Sequence, residues 1–124
     1  SSRIRNFAND IMGDTDIQYH IDIDEEANTR ITDITIWKNI VFITKEAINN
    51  AVKYSKATRL QVILQMKTKS ALLSICDNGI GFEPEQQQGN GMANMKRRTQ
   101  EIGGKWLLET APMLGTKIVI EIPL

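Results

Sequence analysis

The sequence predicts an α+β fold, a two-layer α/β sandwich whose mixed, mostly antiparallel sheet carries helices packed on one face. Three observations predict it. Short strand-like runs stand in neighbouring pairs, at 60–66 with 71–76 and at 106–109 with 116–122, the first of them with a two-residue hydrophobic period. Between and before those pairs lie segments with apolar residues three and four apart, the spacing of a helix with one buried stripe. The length of 124 residues is enough for one hydrophobic core and too little for two. Paired strands with helices between them close such a core as a sheet covered on one side.

The elements follow in order. Residues 3–12 read as the end of a helix. Residues 18–24 alternate, with Ile17, Tyr19, Ile21 and Ile23 on one face of a half-buried strand. Asp33 can cap a long helix in which Ile36, Ile40, Ile43, Ala47, Ala51 and Tyr54 share one arc, and 55–58 breaks it. Leu60, Val62, Leu64 and Met66 alternate as a strand, 67–70 turns, and 71–76 returns as a strand apolar on both faces. A loop then holds Gly79, Gly81, Gly89 and Gly91, with Pro84 and the run Gln86, Gln87, Gln88 between them. Residues 92–102 read as a helix ended by Gly103 and Gly104, and two last strands are joined through 112–115. No internal repeat is visible.

Fifteen basic and fifteen acidic residues give a formal net charge of zero, which argues against a dedicated nucleic-acid binder. The charge is uneven along the chain. Asp10 to Asp33 is nearly all acidic, whereas Lys38, Lys45, Lys53, Lys56, Arg59, Lys67 and Lys69 make the middle basic. That suits an anionic ligand near the middle, or simply two solvated faces of opposite sign. The single cysteine, Cys76, cannot form an internal disulfide, which fits a reducing cytoplasmic setting. No apolar run approaches the ~20 residues that cross a bilayer, and no signal-peptide pattern opens the chain.

Three stretches carry chemistry. At about 100° per residue, Glu46, Asn49, Asn50 and Lys53 point the same way, beside the apolar arc of the long helix. Helix surfaces often carry such residues as a solvated face. The same set also suits a hard cation and a phosphate, because an amide oxygen is a ligand for Mg²⁺ and a lysine is a point charge for phosphate. Asp77-Asn78-Gly79-Ile80-Gly81-Phe82 follows directly on a strand. It reads either as a glycine-rich turn or as a carboxylate acceptor beside glycines that let a flat ring approach the backbone. Gly89-Asn90-Gly91 leads into the helix beginning near Met92, where glycines and a helix start can make an anion nest. A P-loop is absent, the glycines do not follow the first strand as a dinucleotide fold requires, and the lone His20 reads as a partly buried structural ring.

Taken together these stretches resemble one family. Glu46-Ala-Ile-Asn-Asn50-Ala-Val-Lys53-Tyr54 looks like the N box, Asp77-x-Gly79-x-Gly81-Phe82 like the G1 box, and Gly89-Asn-Gly91-Met-x-Asn94-Met95-x-x-Arg98 like the G2 box of the ATP-binding catalytic domain of sensor histidine kinases. The short lid and the Gly-Met-x-Asn-Met-x-x-Arg run resemble most closely the nitrate-sensor and membrane-stress-sensor branch. Gly115-Thr116 followed by Ile-x-Ile-x-Ile-Pro matches the last strand of that family, and Tyr54 stands where the branch often has His.

The resemblance implies the Bergerat fold shared with gyrase, the Hsp90 chaperone and DNA-repair ATPases, with ATP and Mg²⁺ as cofactors. By the same resemblance Asn50 is the Mg²⁺ ligand, Glu46 the base or water-orienting group, and Lys53 a phosphate contact. Asp77 receives the adenine amino group over Gly79 and Gly81, Gly89 and Gly91 hinge the lid, and Thr116 reaches the adenine side through water. Asn49, Tyr54, Ile80, Phe82, Asn90 and Met92 complete the implied ATP-binding set. Residues 1–14 would end a linker helix from a dimerisation and phosphoacceptor region, and 15–124 would be the catalytic domain. The implied function is transfer of the γ-phosphoryl group to a His on a separate helical hairpin, for relay to a response regulator, within a homodimeric, membrane-anchored parent. An anti-sigma-factor-type serine kinase and a non-catalytic nucleotide-binding module are the alternatives on the same fold. The stretch 82–90 is expected to be mobile without ligand, having little apolar surface to bury.

Overall fold

The computed structural model describes residues 6, 9, 10, 17–53, 57–80, 91–110, 113 and 115–124, without the side chain of residue 53. Along the chain these form β1 (Gln18–Ile23), a single turn α1 (Ala27–Arg30), the long helix α2 (Ile34–Lys53), β2 (Arg59–Met66), β3 (Ser70–Asp77), α3 (Gly91–Glu101), β4 (Lys105–Thr110) and β5 (Thr116–Pro123). Asn6, Asn9 and Asp10 are helical, as the reading of 3–12 expects. The proposed division at residue 14 lies outside the described residues.

The strands make one sheet in the order β1-β2-β3-β5-β4. Parallel neighbours need a long crossover, and α2 supplies it between β1 and β2. The other three pairings are antiparallel. Local chemistry sets the boundaries. The Asp33 carboxylate accepts the Thr35 N–H at 2.8 Å, the bond of a helix-starting aspartate, and the Trp37 ring N–H reaches back to the Ile31 carbonyl at 2.8 Å. At the end of α3, Gly104 N–H returns to the Thr99 carbonyl at 2.9 Å and Gly103 N–H to that of Gln100 at 3.0 Å. Gly103 has φ +71°, so the pair closes α3 as the sequence predicts.

The core lies between the sheet and the two long helices. Ile40, Ile43, Ala47, Ile48 and Ala51 of α2 and Met95 of α3 are buried with Val62, Leu64, Leu73, Ile75, Ile118, Ile120 and Ile122 of the sheet. Buried Thr44 and Thr99 donate their hydroxyls to the carbonyls one turn back, so neither costs the core an unmet polar group. Among the described residues, no helix is long and apolar enough to cross a membrane.

Several sequence expectations change. The strand at 71–76 extends to Ser70–Asp77, which makes Asp77 the last paired residue of β3. Its two faces are not equivalent: Ala71, Leu73 and Ile75 are buried, whereas Leu72, Ser74 and Cys76 on the helix-free face are half-buried. His20 is exposed on that open face rather than partly buried, because β1 is an edge strand whose only buried residue is Ile21. Nor does the basic middle form one patch. Lys67 and Lys69 sit at the β2–β3 turn, separated from Asp77 by the length of β3, roughly 25 Å.

Candidate functional site

At the end of β3, Asp77 is paired with Leu60 on one side and Thr116 on the other. Its carboxylate accepts the Gly79 N–H at 2.9 Å, closing a tight turn that leaves Gly79 buried and Ile80 exposed at the rim. Thr116 is 6% exposed, and its hydroxyl lies 3.1 Å from that of Thr110. Thr110 donates its own hydroxyl hydrogen to the Gly115 carbonyl at 3.1 Å, so Thr116 is the donor within the pair and keeps its lone pairs to accept from a ligand or water.

Two residues that hold this turn carry no assigned role in the sequence reading. Gly115 has φ +79°, and a Cβ there would lie 2.3 Å from the Asp77 carbonyl oxygen. Only glycine lets β5 begin so close to the Asp77 backbone. On the other flank, Asn78 binds the start of β2. Its Oδ1 accepts the N–H groups of Thr58 at 2.9 Å and Arg59 at 2.8 Å, its Nδ2 donates to the Thr58 hydroxyl at 2.8 Å, and its own N–H donates to the Arg59 carbonyl at 3.3 Å. An Asn between Asp and Gly signals a turn in any sequence. Partners twenty residues away leave no local signal. The β4–β5 connection also reaches the turn, since Met113 N–H donates to the Ile80 carbonyl.

The second group lies on α2. Glu46, Asn49 and Asn50 are all half-buried, as expected of a strip beside the core-facing arc. Phe42, one turn before Glu46 on the same strip, is covered by α3: the Arg98 guanidinium stacks over its ring at 4.3 Å. The polar strip therefore borders the groove between α2 and α3. Gly91 is the first residue of α3, Met92 is half-buried against the core, and the first turn carries no acidic residue to oppose an anion. Lys53 ends α2. Tyr54, Gly81, Phe82, Gly89 and Asn90 lie outside the described residues, as does the stretch 82–90 expected to be mobile.

The structure thus gathers two sets, Asp77 with Gly79, Ile80 and Thr116 at the sheet end, and Glu46, Asn49 and Asn50 on the helix. A cleft of about 530 Å³ at this end of the sheet has Asp77 in its wall, with Tyr19, His20, Leu60, Cys76 and Asn78. None of the α2 strip borders it, so it joins the Asp77 turn but not the two sets together. Among the described residues, no group of three His, Cys, Asp or Glu side chains could hold a metal ion by itself.

A mixed sheet with helices on one face, an Asp-x-Gly turn at a strand end and a carboxylate-amide strip on the long helix define a nucleotide-binding ATPase class. The family model described as histidine kinase-, DNA gyrase B-, and HSP90-like ATPase matches residues 35–124, and the chain belongs to that family. Similar curated relatives are the sensor protein VraS of Staphylococcus saprophyticus, 38% identical over 84 residues, and the sensor histidine kinase LiaS of Bacillus subtilis, 36% identical over 84 residues. Each alignment covers 66% of this chain, and 24% and 23% of the respective relative, so the chain spans about a quarter of their length. The blue-light activated histidine kinase of Erythrobacter litoralis EL346 shares the fold, with a TM-score of 0.82 at 19% identity over 99% of this chain and 40% of that one.

Proposed function

We propose that this chain is the ATP-binding catalytic domain of a sensor histidine kinase. In this reading it binds Mg²⁺-ATP and hands the γ-phosphoryl group to a His on a separate helical hairpin, for relay to a response regulator. The observation that carries the reading is the half-buried strip of Glu46, Asn49 and Asn50 bordering the α2–α3 groove. A carboxylate and two amides kept partly out of water beside a core are unusual as a mere solvated face, and they suit a phosphate-bearing ligand with its cation.

The Asp77 turn takes the adenine. With the Gly79 N–H orienting the carboxylate, Asp77 accepts the adenine amino group, while Thr116 accepts from a bridging water. Gly79, Gly81, Ile80 and Phe82 line the base. Asn49, Lys53, Tyr54, Asn90 and Met92 complete the contacts, and Gly89 and Gly91 hinge the lid over the phosphates. The Asn50 amide oxygen is a hard donor that fits Mg²⁺, and it would hold the ion together with phosphate and water oxygens, since Mg²⁺ keeps several waters and binds substrate phosphates. When bound, it neutralises charge on the transferring phosphoryl group. Glu46 orients the acceptor or takes its proton. The parent is a homodimeric, membrane-anchored sensor with this domain on its cytoplasmic side.

Incubating the chain with labelled Mg²⁺-ATP tests the reading. It should bind nucleotide yet form no stable phosphohistidine, since its one histidine, His20, is exposed on the sheet face away from the helices. Adding the hairpin of the parent kinase should produce label that is acid-labile. Absence of nucleotide binding, or acid-stable phosphoserine on another protein, would overturn the proposal.

A further inference from the structure

The Asp77 turn projects beyond the sheet, because Asp77 is the last residue of β3 that is paired on either side. Strand pairing sets the face on which its carboxylate lies, and the Gly79 N–H binds one of its oxygens. Two flanking contacts hold the turn that carries it. On the β5 side the Gly115 backbone lies against the Asp77 carbonyl. On the β2 side the Asn78 side chain spans Thr58 and Arg59 with three hydrogen bonds of 2.8–2.9 Å, reinforced by its own N–H on the Arg59 carbonyl.

We propose that Asn78 is a positioning residue for base recognition: by tying the Asp77 turn to the first residues of β2, it aims the Asp77 carboxylate at the purine amino group. The inference rests on the nucleotide-site reading above and deepens it. Asn78 itself is exposed, as are Thr58 and Arg59, so its bonds compete with water and contribute little to global stability. Their value lies in direction. A hydrogen bond to the exocyclic amine is short-ranged and angle-dependent, so a turn held on one flank alone loses it through small pivoting. The chemistry of the clamp also sets its tolerance. Aspartate keeps an acceptor for both amides, and the Thr58 hydroxyl can rotate to donate to it. Alanine keeps neither.

The test measures affinity for ATP and for inosine triphosphate, which has a carbonyl in place of the amino group, on the same chain. The ratio of the two isolates base reading from phosphate binding, and from any charge introduced by aspartate. Wild type should prefer ATP. Asn78→Ala should lower that preference about fivefold or more, mainly by weakening ATP. Asn78→Asp should retain the preference, even if both triphosphates bind less tightly. Thermal unfolding is followed alongside, and a purely structural role would weaken both nucleotides together in step with lost stability. If Asn78→Ala does not fold, Asn78→Ser, which favours the turn but is too short to bridge two amides, is held to the same expectation. An unchanged ratio in the folded alanine or serine form overturns the inference while leaving the nucleotide site intact. A wild-type chain with no preference for ATP overturns the reading of Asp77 on which it rests.

Discussion

Replacing the buried Gly115 by alanine should damage this domain more than the same change at Gly103, which has a similar backbone. The backbone there has φ +79°, a region that costs a non-glycine residue ~1–2 kcal/mol. The added Cβ would sit 2.3 Å from the Asp77 carbonyl oxygen and 3.2 Å from the Asn78 Cα, both backbone atoms that cannot swing away. Relieving that contact means parting β5 from the Asp77 turn by about 1 Å, and such overpacking costs ~1–3 kcal/mol. The two effects together come to roughly 2–5 kcal/mol. For a domain of this size, at about 4 °C per kcal/mol, melting falls by roughly 8–20 °C. Gly103 provides the control: its φ of +71° is similar, but the nearest atom to an added Cβ is the Pro123 side chain at 3.8 Å. Gly103→Ala should therefore lose only ~1–2 kcal/mol. Urea unfolding of both variants, with midpoints and slopes compared, measures the difference. Equal stabilities within about 0.5 kcal/mol would refute the close-approach argument, because strain in φ would then account for everything.

Asp77→Asn should keep the turn, since an amide oxygen can still accept the Gly79 N–H, yet lose ATP affinity about tenfold or more by placing a donor beside the adenine amine; calorimetry reads both, and equal affinity would remove Asp77 from the site. In a transfer assay with the parent hairpin supplied, Glu46→Gln should bind ATP nearly normally but transfer at least tenfold more slowly, as expected of a positioned base that contributes ~10²–10⁴ in rate. Asn50→Ala should instead weaken nucleotide binding in a Mg²⁺-dependent manner, and a Kd ratio with and without Mg²⁺ that matches wild type would count against it as a ligand. The Arg98–Phe42 stack should show ~0.5–1 kcal/mol of coupling in a double-mutant cycle of Arg98→Met and Phe42→Leu, measured by denaturation; additive losses would mean the two helices pack without it.

Much of the fold is legible in order along the chain. The period-two runs locate the strands because a half-buried pleated strand exposes alternate residues, and β2 and β5 show that alternation in their burial. The helix ends are written locally too, in Asp33 and in Gly103 with Gly104, because capping bonds reach only a few residues. The candidate strip of Glu46, Asn49 and Asn50 is likewise legible, since helix periodicity alone puts it beside the apolar arc.

Long-range placement belongs to the tertiary structure. Sequence periodicity places Tyr19 with Ile21 and Ile23 on one face, but only the position of β1 at the sheet edge leaves His20 in water and Tyr19 37% exposed. The buried arc of α2 is wider than its apolar spacing suggests, since Thr44 and Asn39 are buried within it as well. Basic residues adjacent in sequence order separate in space, because a strand of eight residues carries its two ends apart. The glycine-aspartate turn is visible as a turn, yet what aims it comes from residues far along the chain: Asn78 on Thr58 and Arg59, Gly115 on Asp77, Thr110 on Thr116. Local preference depends on neighbours within a turn or two and so can be read from the sequence. The direction of a site's side chains depends on which strands are paired beside it, and that is decided only when the sheet closes.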